Sequence, residues 1–173
     1  MEMTLPTVIA AGKHIRLMRR GIWEYAERPD ITGIVAILAI TDDDNLILVE
    51  QYRPPVNHNV IELPAGLVGD MPGKEHEDLL AAARRELLEE TGYDAAQTAL
   101  LATGPVSAGI STEIISLVRA TKLTKVAHGG GIDNEHITIH LIPLAQVRRR
   151  LAEFATDGPL VDLKIYAALN FLE

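Results

Sequence analysis

Residues 85–93 read RELLEETGY, and a further acid, Glu77, stands eight positions before Arg85. If this stretch is helical, at 100° per residue the carboxylates of Glu86, Glu89 and Glu90 fall within about 100° of one face. Glu86 and Glu90 then form an i,i+4 like-charge pair, which costs on the order of 0.2–0.5 kcal/mol in an isolated helix. Acids near a helix C-terminus also oppose the macrodipole, by roughly 0.3–1 kcal/mol each when exposed. Such a cluster needs compensation. Arg84 and Arg85 supply part of it, with Arg85 standing i,i+4 to Glu89. A divalent cation would supply more, since Mg²⁺ is usually held by one or two carboxylates together with substrate phosphates. The alternative from spacing alone is a solvated acidic helix face.

The longer string from Glu77 to Tyr93 resembles the Nudix box, G-x5-E-x7-R-E-U-x-E-E-x-G-U, where U is bulky and apolar or aromatic. Every position from Glu77 onward is met, and Gly92 also suits the left-handed residue that ends a helix. The box glycine would fall at Met71. The segment Glu62-Leu63-Pro64-Ala65-Gly66 resembles the family's E-L-P-A-G lead-in, so Gly66 is its counterpart, and the loop LVGDMPGKEH to Glu77 is five residues longer than the pattern. Two glycines and a proline suit a surface insertion.

The elements that must position these groups are legible as short runs. Residues 13–28 suggest two strands turning near Arg20-Gly21, and 32–41 and 45–52 are β-rich runs joined by Asp42-Asp43-Asp44-Asn45, a hairpin signal. Residues 60–63 form a short strand. The helix spans about 77–91 with Leu80, Ala83 and Leu87 on one stripe for packing on a sheet. Further strands are expected near 98–103, 113–120 and 136–142. Two helices follow, 144–156 and 161–172, divided by Asp157-Gly158-Pro159. Strands flanked by helices fit a mixed sheet between helical layers, an α/β (α+β) class. The resemblance implies the α/β/α sandwich of the Nudix fold as a single domain over 1–173, with residues 1–30 as an N-terminal β extension.

Composition is consistent with that reading. The 173 residues fall in the single-domain range, and with no cysteine neither disulfides nor thiolate metal sites arise. The longest apolar run, 31–40, is too short for a membrane span. The first residues lack a basic, then apolar, secretory pattern, so a cytoplasmic location is expected and no membrane partner. A formal net charge of −8 argues against tracking nucleic acid, which needs clustered Lys and Arg.

Trp23-Glu24-Tyr25-Ala26-Glu27-Arg28, the run from Val49 to Pro54 and the ELPAG segment together look like the ADP-ribose pyrophosphatase branch. That resemblance implies a homodimer that exchanges N-terminal elements, with Trp23 against adenine and Arg28 and Arg53 on the diphosphate or terminal ribose. A partly buried core or dimer-interface ring for Trp23 and surface ion pairs for the arginines are the alternatives. The family assigns metal ligation to Glu86 and Glu90, with Glu89 close by and the Ala65 carbonyl as a further ligand. The metal would be Mg²⁺, with Mn²⁺ as substitute. Glu77 and Arg85 brace the catalytic helix. Glu135, in the loop Gly129-Gly130-Gly131-Ile132-Asp133-Asn134-Glu135, matches a functional glutamate that takes the proton of the attacking water, and Glu89 is the competing base.

The implied reaction is hydrolysis of a nucleoside diphosphate linked to another group, with ADP-ribose giving AMP and ribose 5-phosphate. Glu113 matches a residue near the substrate ribose. Many ADP-ribose hydrolases carry a proline sixteen residues after the box glycine, where this chain has Ala108, which keeps GDP-mannose or another nucleotide sugar open. A nucleotide-binding sensor on the same fold would ordinarily have lost a box carboxylate, and an mRNA-decapping type would need basic runs. His136 and His140 alternate onto one strand face without a third ligand at a recognisable spacing, so they read as structural. The triple glycine lacks dinucleotide-fingerprint spacing, and Ser107 and Ser111 lack a nucleophile-elbow context.

Overall fold

A computed structural model describes residues 4–131 and 136–172. Three short strands open the chain, β1 (Thr7–Ala11), β2 (Arg16–Arg20) and β3 (Trp23–Glu27), as an antiparallel sheet in the order β1-β2-β3. The turn at Arg20-Gly21 falls where the sequence suggests it, with Gly21 at φ 62°. β1 lies outside the residues read as strand-forming. It is exposed along its whole length, so no apolar alternation marks it.

The second sheet is built on β4 (Gly33–Ile40), whose six central residues are all buried. Burial on both faces explains its unbroken apolar run. Val35, Ile37 and Ala39 face one layer, and Ile34, Ala36 and Leu38 face the other. The remaining strands are β5 (Asn45–Arg53), β6 (His58–Glu62), β7 (Ala65–Val68), β8 (Tyr93–Pro105), β9 (Ile114–Lys125), β10 (Thr138–Pro143) and β11 (Leu160–Val161). The main order is β11-β6-β5-β4-β9-β8, with β10 added on β5 and β7 on β4. β4 runs parallel to β9 and β11 runs parallel to β6, while the other pairings are antiparallel, so the sheet is mixed.

Helix α1 (Leu79–Thr91) covers one face through Ala82, Ala83 and Leu87. Helices α2 (Val147–Asp157) and α3 (Leu163–Ala168) cover the other through Val147, Leu151, Ile165 and Ala168. This is the expected α/β/α arrangement. β4 divides its partners in a way that matters for the site: its first half, Gly33–Ala36, pairs with β7, and its end, Ala39 and Ile40, pairs with β5. β5 and β7 therefore diverge, and a cleft opens between them.

Several boundaries differ from the sequence expectation for identifiable reasons. α1 starts at Leu79, two residues later than Glu77, because Asp78 is its N-cap and accepts from Leu80 N at 3.0 Å and Ala81 N at 3.1 Å. β8 runs to 13 residues, about twice the strand expected, carried by its ladder with β9. β7 was not expected after Pro64. The closing helix shortens to α3 followed by a 3₁₀ turn, Leu169–Phe171, since Val161 belongs to β11. Among the described residues no helix is long and apolar enough to cross a membrane.

Candidate active site

The C-terminal half of α1 delivers its carboxylates to the cleft beside β7. Glu90 is 4% exposed, and its Oε2 accepts the Ala65 backbone N–H at 3.1 Å. The backbone contact found at Ala65 is thus its amide, tying the ELPAG segment to the helix. Glu86 lies over Gly66: a Cβ built on that glycine would stand 1.9 Å from the carboxylate carbon. Only a residue without a side chain leaves this seat open.

Arg85 fills the space among the acids. Its Nε donates to Glu77 Oε1 at 3.1 Å and its Nη2 to Glu77 Oε2 at 2.9 Å, a bidentate pair. Nη1 donates to Glu86 Oε1 at 2.7 Å and Glu89 Oε2 at 3.2 Å, and Nη2 also reaches the Leu67 carbonyl at 3.1 Å. Of the two arginines expected to compensate the clustered acids, Arg84 pairs instead with Asp94, its Nη2 donating to Oδ2 at 2.7 Å, and the compensation is the Arg85 guanidinium. It holds the Glu77 carboxyl below the usual carboxylate range, while the acids raise the arginine. Glu86 moves the other way. Burial pushes its carboxyl up to about 7 against the opposing pull of Arg85, and Glu89 and Asp70 add to the rise. Among the described residues no three Asp, Glu or His side chains close on one point as a finished metal cage.

Arg85, Glu86, Glu89 and Glu90 line a cavity of about 530 Å³ that also receives Arg28, Arg53 and Glu113. Arg53 Nε holds the buried Glu62 at 2.6 Å, and Arg28 Nε holds Glu113 at 3.3 Å. Each arginine is thus oriented at the cavity wall by an acid that meets its Nε. Six carboxylates and four cationic side chains line it, leaving an excess of two negative charges when all are ionised.

Trp23 stands apart. It is 62% exposed and lines a separate groove of about 250 Å³ with Tyr25, Ala108, Gly109 and Ser111. Ala26 stitches this groove together, its N–H donating to the Ile110 carbonyl at 2.8 Å and its own carbonyl accepting from Thr112 N at 3.1 Å. The substitution at Ala108 therefore falls beside Trp23 and away from the carboxylates.

Glu135 lies outside the described residues, as does the loop from Ile132 onward. The glycines before it are anchored to α1: Gly130 N–H donates to the Glu90 carbonyl at 2.7 Å and Gly131 N–H to the Glu89 carbonyl at 3.2 Å. Lys125 Nζ donates to the Thr91 carbonyl at 2.6 Å and lies 4.7 Å over the Tyr93 ring, so the acidic helix end meets a cation. His140 pairs with Glu50 at 3.0 Å and sets its ring against Phe154, in line with a structural role.

Sequence reasoning missed three charged residues of the cavity. Glu62 was visible as the first letter of ELPAG, but its bond to Arg53 needs the β5–β6 hairpin. Asp70 comes from the inserted loop, and Lys164 from the start of α3, where no motif marks it.

A family model described as the NUDIX domain matches residues 31–163. The chain is 33% identical over 141 residues to a methanol dehydrogenase activator of Bacillus methanolicus, an alignment covering 82% of this chain and 72% of that protein. It is 35% identical over 141 residues to an ADP-ribose pyrophosphatase of Bacillus subtilis, with the same two coverages. A crystal structure of an ADP compounds hydrolase superposes with a TM-score of 0.77 at 20% identity, covering 98% of this chain and 90% of that one, which speaks to the fold. A match of this length settles the family: the protein belongs to the NUDIX domain family, on its ADP-ribose pyrophosphatase-like branch, and is a Nudix pyrophosphohydrolase.

Proposed function

We propose that the chain hydrolyses ADP-ribose to AMP and ribose 5-phosphate in a Mg²⁺-dependent reaction, with Mn²⁺ as a substitute. The observation that carries this reading is the shared cavity, in which the α1 carboxylates face the same space as Arg28 and Arg53. A diphosphate entering a site with excess negative charge needs cationic help, and two oriented arginines supply only part of it.

The residues fit a divalent cation. Glu86, Glu89 and Glu90 offer hard oxygen donors of the kind Mg²⁺ prefers, and Glu86 sits in a cradle that a Cβ at Gly66 would fill. A buried carboxylate whose proton affinity is raised, as that of Glu86 is, gains by exchanging the proton for a metal. In this reading Glu86, Glu90 and the Ala65 carbonyl hold the metal with Glu89 beside them, and Arg85 and Glu77 hold the helix in register. When bound, such a cation neutralises charge developing on the phosphates and lowers the pKa of an attacking water.

Arg28 and Arg53 orient the diphosphate, and Glu113 both holds Arg28 and meets the ribose. The water proton goes to Glu135 or to Glu89, which the E135Q and E89Q variants distinguish. Water adds to one phosphorus, the bridging P–O bond breaks, and two monophosphates leave.

Homodimerisation through residues 1–30 belongs to the same proposal. The N-terminal sheet exposes Val8, Ile9, Leu17 and Trp23, and a three-stranded sheet with bare apolar faces gains from a partner. A cytoplasmic enzyme acting on a small molecule, with no nucleic-acid or membrane partner, completes the reading.

GDP-mannose is the second reading, favoured by Ala108 in the Trp23 groove, where many ADP-ribose hydrolases have proline. The experiment is turnover of ADP-ribose, GDP-mannose, dinucleoside polyphosphates and NADH with Mg²⁺, scored by release of a nucleoside monophosphate. Preferential cleavage of ADP-ribose supports the first reading. Preferential cleavage of GDP-mannose replaces it with the second, and no cleavage of any member overturns both.

A further inference from the structure

Lys164 is the fourth cation lining the carboxylate cavity, alongside Arg28, Arg53 and Arg85. The other three differ in what they have left to offer. Arg85 spends all three of its nitrogens on Glu77, Glu86, Glu89 and the Leu67 carbonyl, so it is committed to the helix. Arg28 and Arg53 each meet a carboxylate through Nε. Lys164 bonds Asp162 through Nζ, and an ammonium carries three N–H donors, so the pair leaves donors for a ligand.

The lysine is also held in place by the fold. Asp162 caps α3 by accepting from the Lys164 backbone N–H at 2.7 Å, and its own N–H donates to the Ile61 carbonyl at 2.9 Å. β11 joins β6 in parallel register just before, Leu160 with Val60 and Val161 with Ile61. The next residue of β6 is Glu62, the partner of Arg53. The start of α3 is thus fastened to the same short strand that orients Arg53, and Asp162 does for Lys164 what Glu62 does for Arg53. The side chain is 21% exposed, enough to reach solvent in the cavity without being free of it. Lys164 also lies one residue beyond the stretch that matches the family model.

We infer that Lys164 is a phosphate-binding residue of this cleft, a point charge added by α3 to the two arginine forks. The inference rests on the reading of the cavity as a diphosphate site. A compact ammonium binds phosphate oxygens from many directions, so Lys164 would hold the substrate without dictating the orientation the arginines impose.

The test compares wild type, K164M and K164R by calorimetric binding of inorganic pyrophosphate with Mg²⁺, and by kcat and KM for ADP-ribose. K164M is expected to weaken pyrophosphate binding and raise KM by about tenfold or more, the size of one charge-assisted hydrogen bond, with a smaller change in kcat. K164R should recover most of the affinity, and melting temperatures should stay close to wild type. Should K164M not fold, K164Q, which keeps a polar but uncharged end group, takes its place in both measurements. Pyrophosphate affinity and KM unchanged in K164M, or its Gln replacement, would overturn the inference. If wild type cleaves no ADP-ribose, the substrate reading fails by itself, and the pyrophosphate titration still decides the role of Lys164. If wild type also fails to bind pyrophosphate, both are overturned.

Discussion

The α-carbon of Gly66 and the carboxylate of Glu86 are packed so closely that a methyl group on the glycine would lie 1.9 Å from Glu86 Cδ. The atoms in conflict are the far end of a rotatable side chain, so Gly66→Ala is expected to move Glu86 and leave the backbone standing. Mg²⁺ affinity should fall by about 10- to 100-fold, the range seen when groups that orient a metal ligand are altered. Mg²⁺ dependence of turnover and a melting curve measure the two effects separately. Loss of folding, or unchanged Mg²⁺ dependence, would contradict this account of the cradle.

Much of this seat was legible in advance. Gly92 and the acid spacing mark α1 because end signals and helical periodicity are local properties of the chain, whereas the N-cap Asp78 went unread and the start was placed at about 77. The ELPAG string pointed to Gly66 despite the long loop. What was not legible depends on distant pairing. Arg28 meets Glu113 across 85 positions of sequence, and β11 is a strand only because β6 lies beside it. Val161 in isolation continues a helical pattern. Lys164 had no signal at all, since its place in the cavity follows from how α3 docks. Trp23 was linked to the substrate by resemblance, yet in the single chain it lines its own groove, so residue type could not reveal the separation.

Glu90 tests the metal assignment most directly. It is buried and accepts the Ala65 amide, a bond that a glutamine carbonyl oxygen can also accept, so Glu90→Gln should fold normally. Removing one ligand charge is expected to cost several kcal/mol of transition-state stabilisation, roughly a hundredfold or more in kcat. Steady-state kinetics at saturating Mg²⁺, with a circular dichroism melt as control, would read this out. Near-normal turnover would remove Glu90 from the metal site.

The Glu77–Arg85 pair gives a pH prediction with a definite sign. The guanidinium lowers the folded-state pKa of Glu77 below its ordinary 4.5, so the folded protein binds that proton less readily than the unfolded chain. The stability gained is present above pH 4.5 and is lost as pH falls through the lower, folded-state value. Urea midpoints measured from about pH 7 down to about pH 3 should therefore drop more steeply in wild type than in Glu77→Gln, which has already lost the charge. Parallel pH profiles for the two proteins would show that the pair contributes no linkage.

Gly92 carries two demands, and a comparison with Gly73 separates them. Both have positive φ, 71° and 83°, a conformation that costs a residue with a Cβ about 1–2 kcal/mol. Around Gly73 a Cβ would meet nothing within 4 Å, so Gly73→Ala should cost that amount and little else. At Gly92 the same atom would stand 2.1 Å from the Ala127 carbonyl oxygen and 2.8 Å from Gly129 N. Both are backbone atoms that no side-chain rotation can clear. Either the last turn of α1 or the segment after β9 must shift, and that turn carries Glu89 and Glu90, whose carbonyls accept from Gly131 and Gly130. Gly92→Ala should therefore lose stability beyond Gly73→Ala and lose turnover with it, whereas Gly73→Ala keeps its activity. Equal melting points for the two variants would mean that the 127–131 segment does not rest on the helix end.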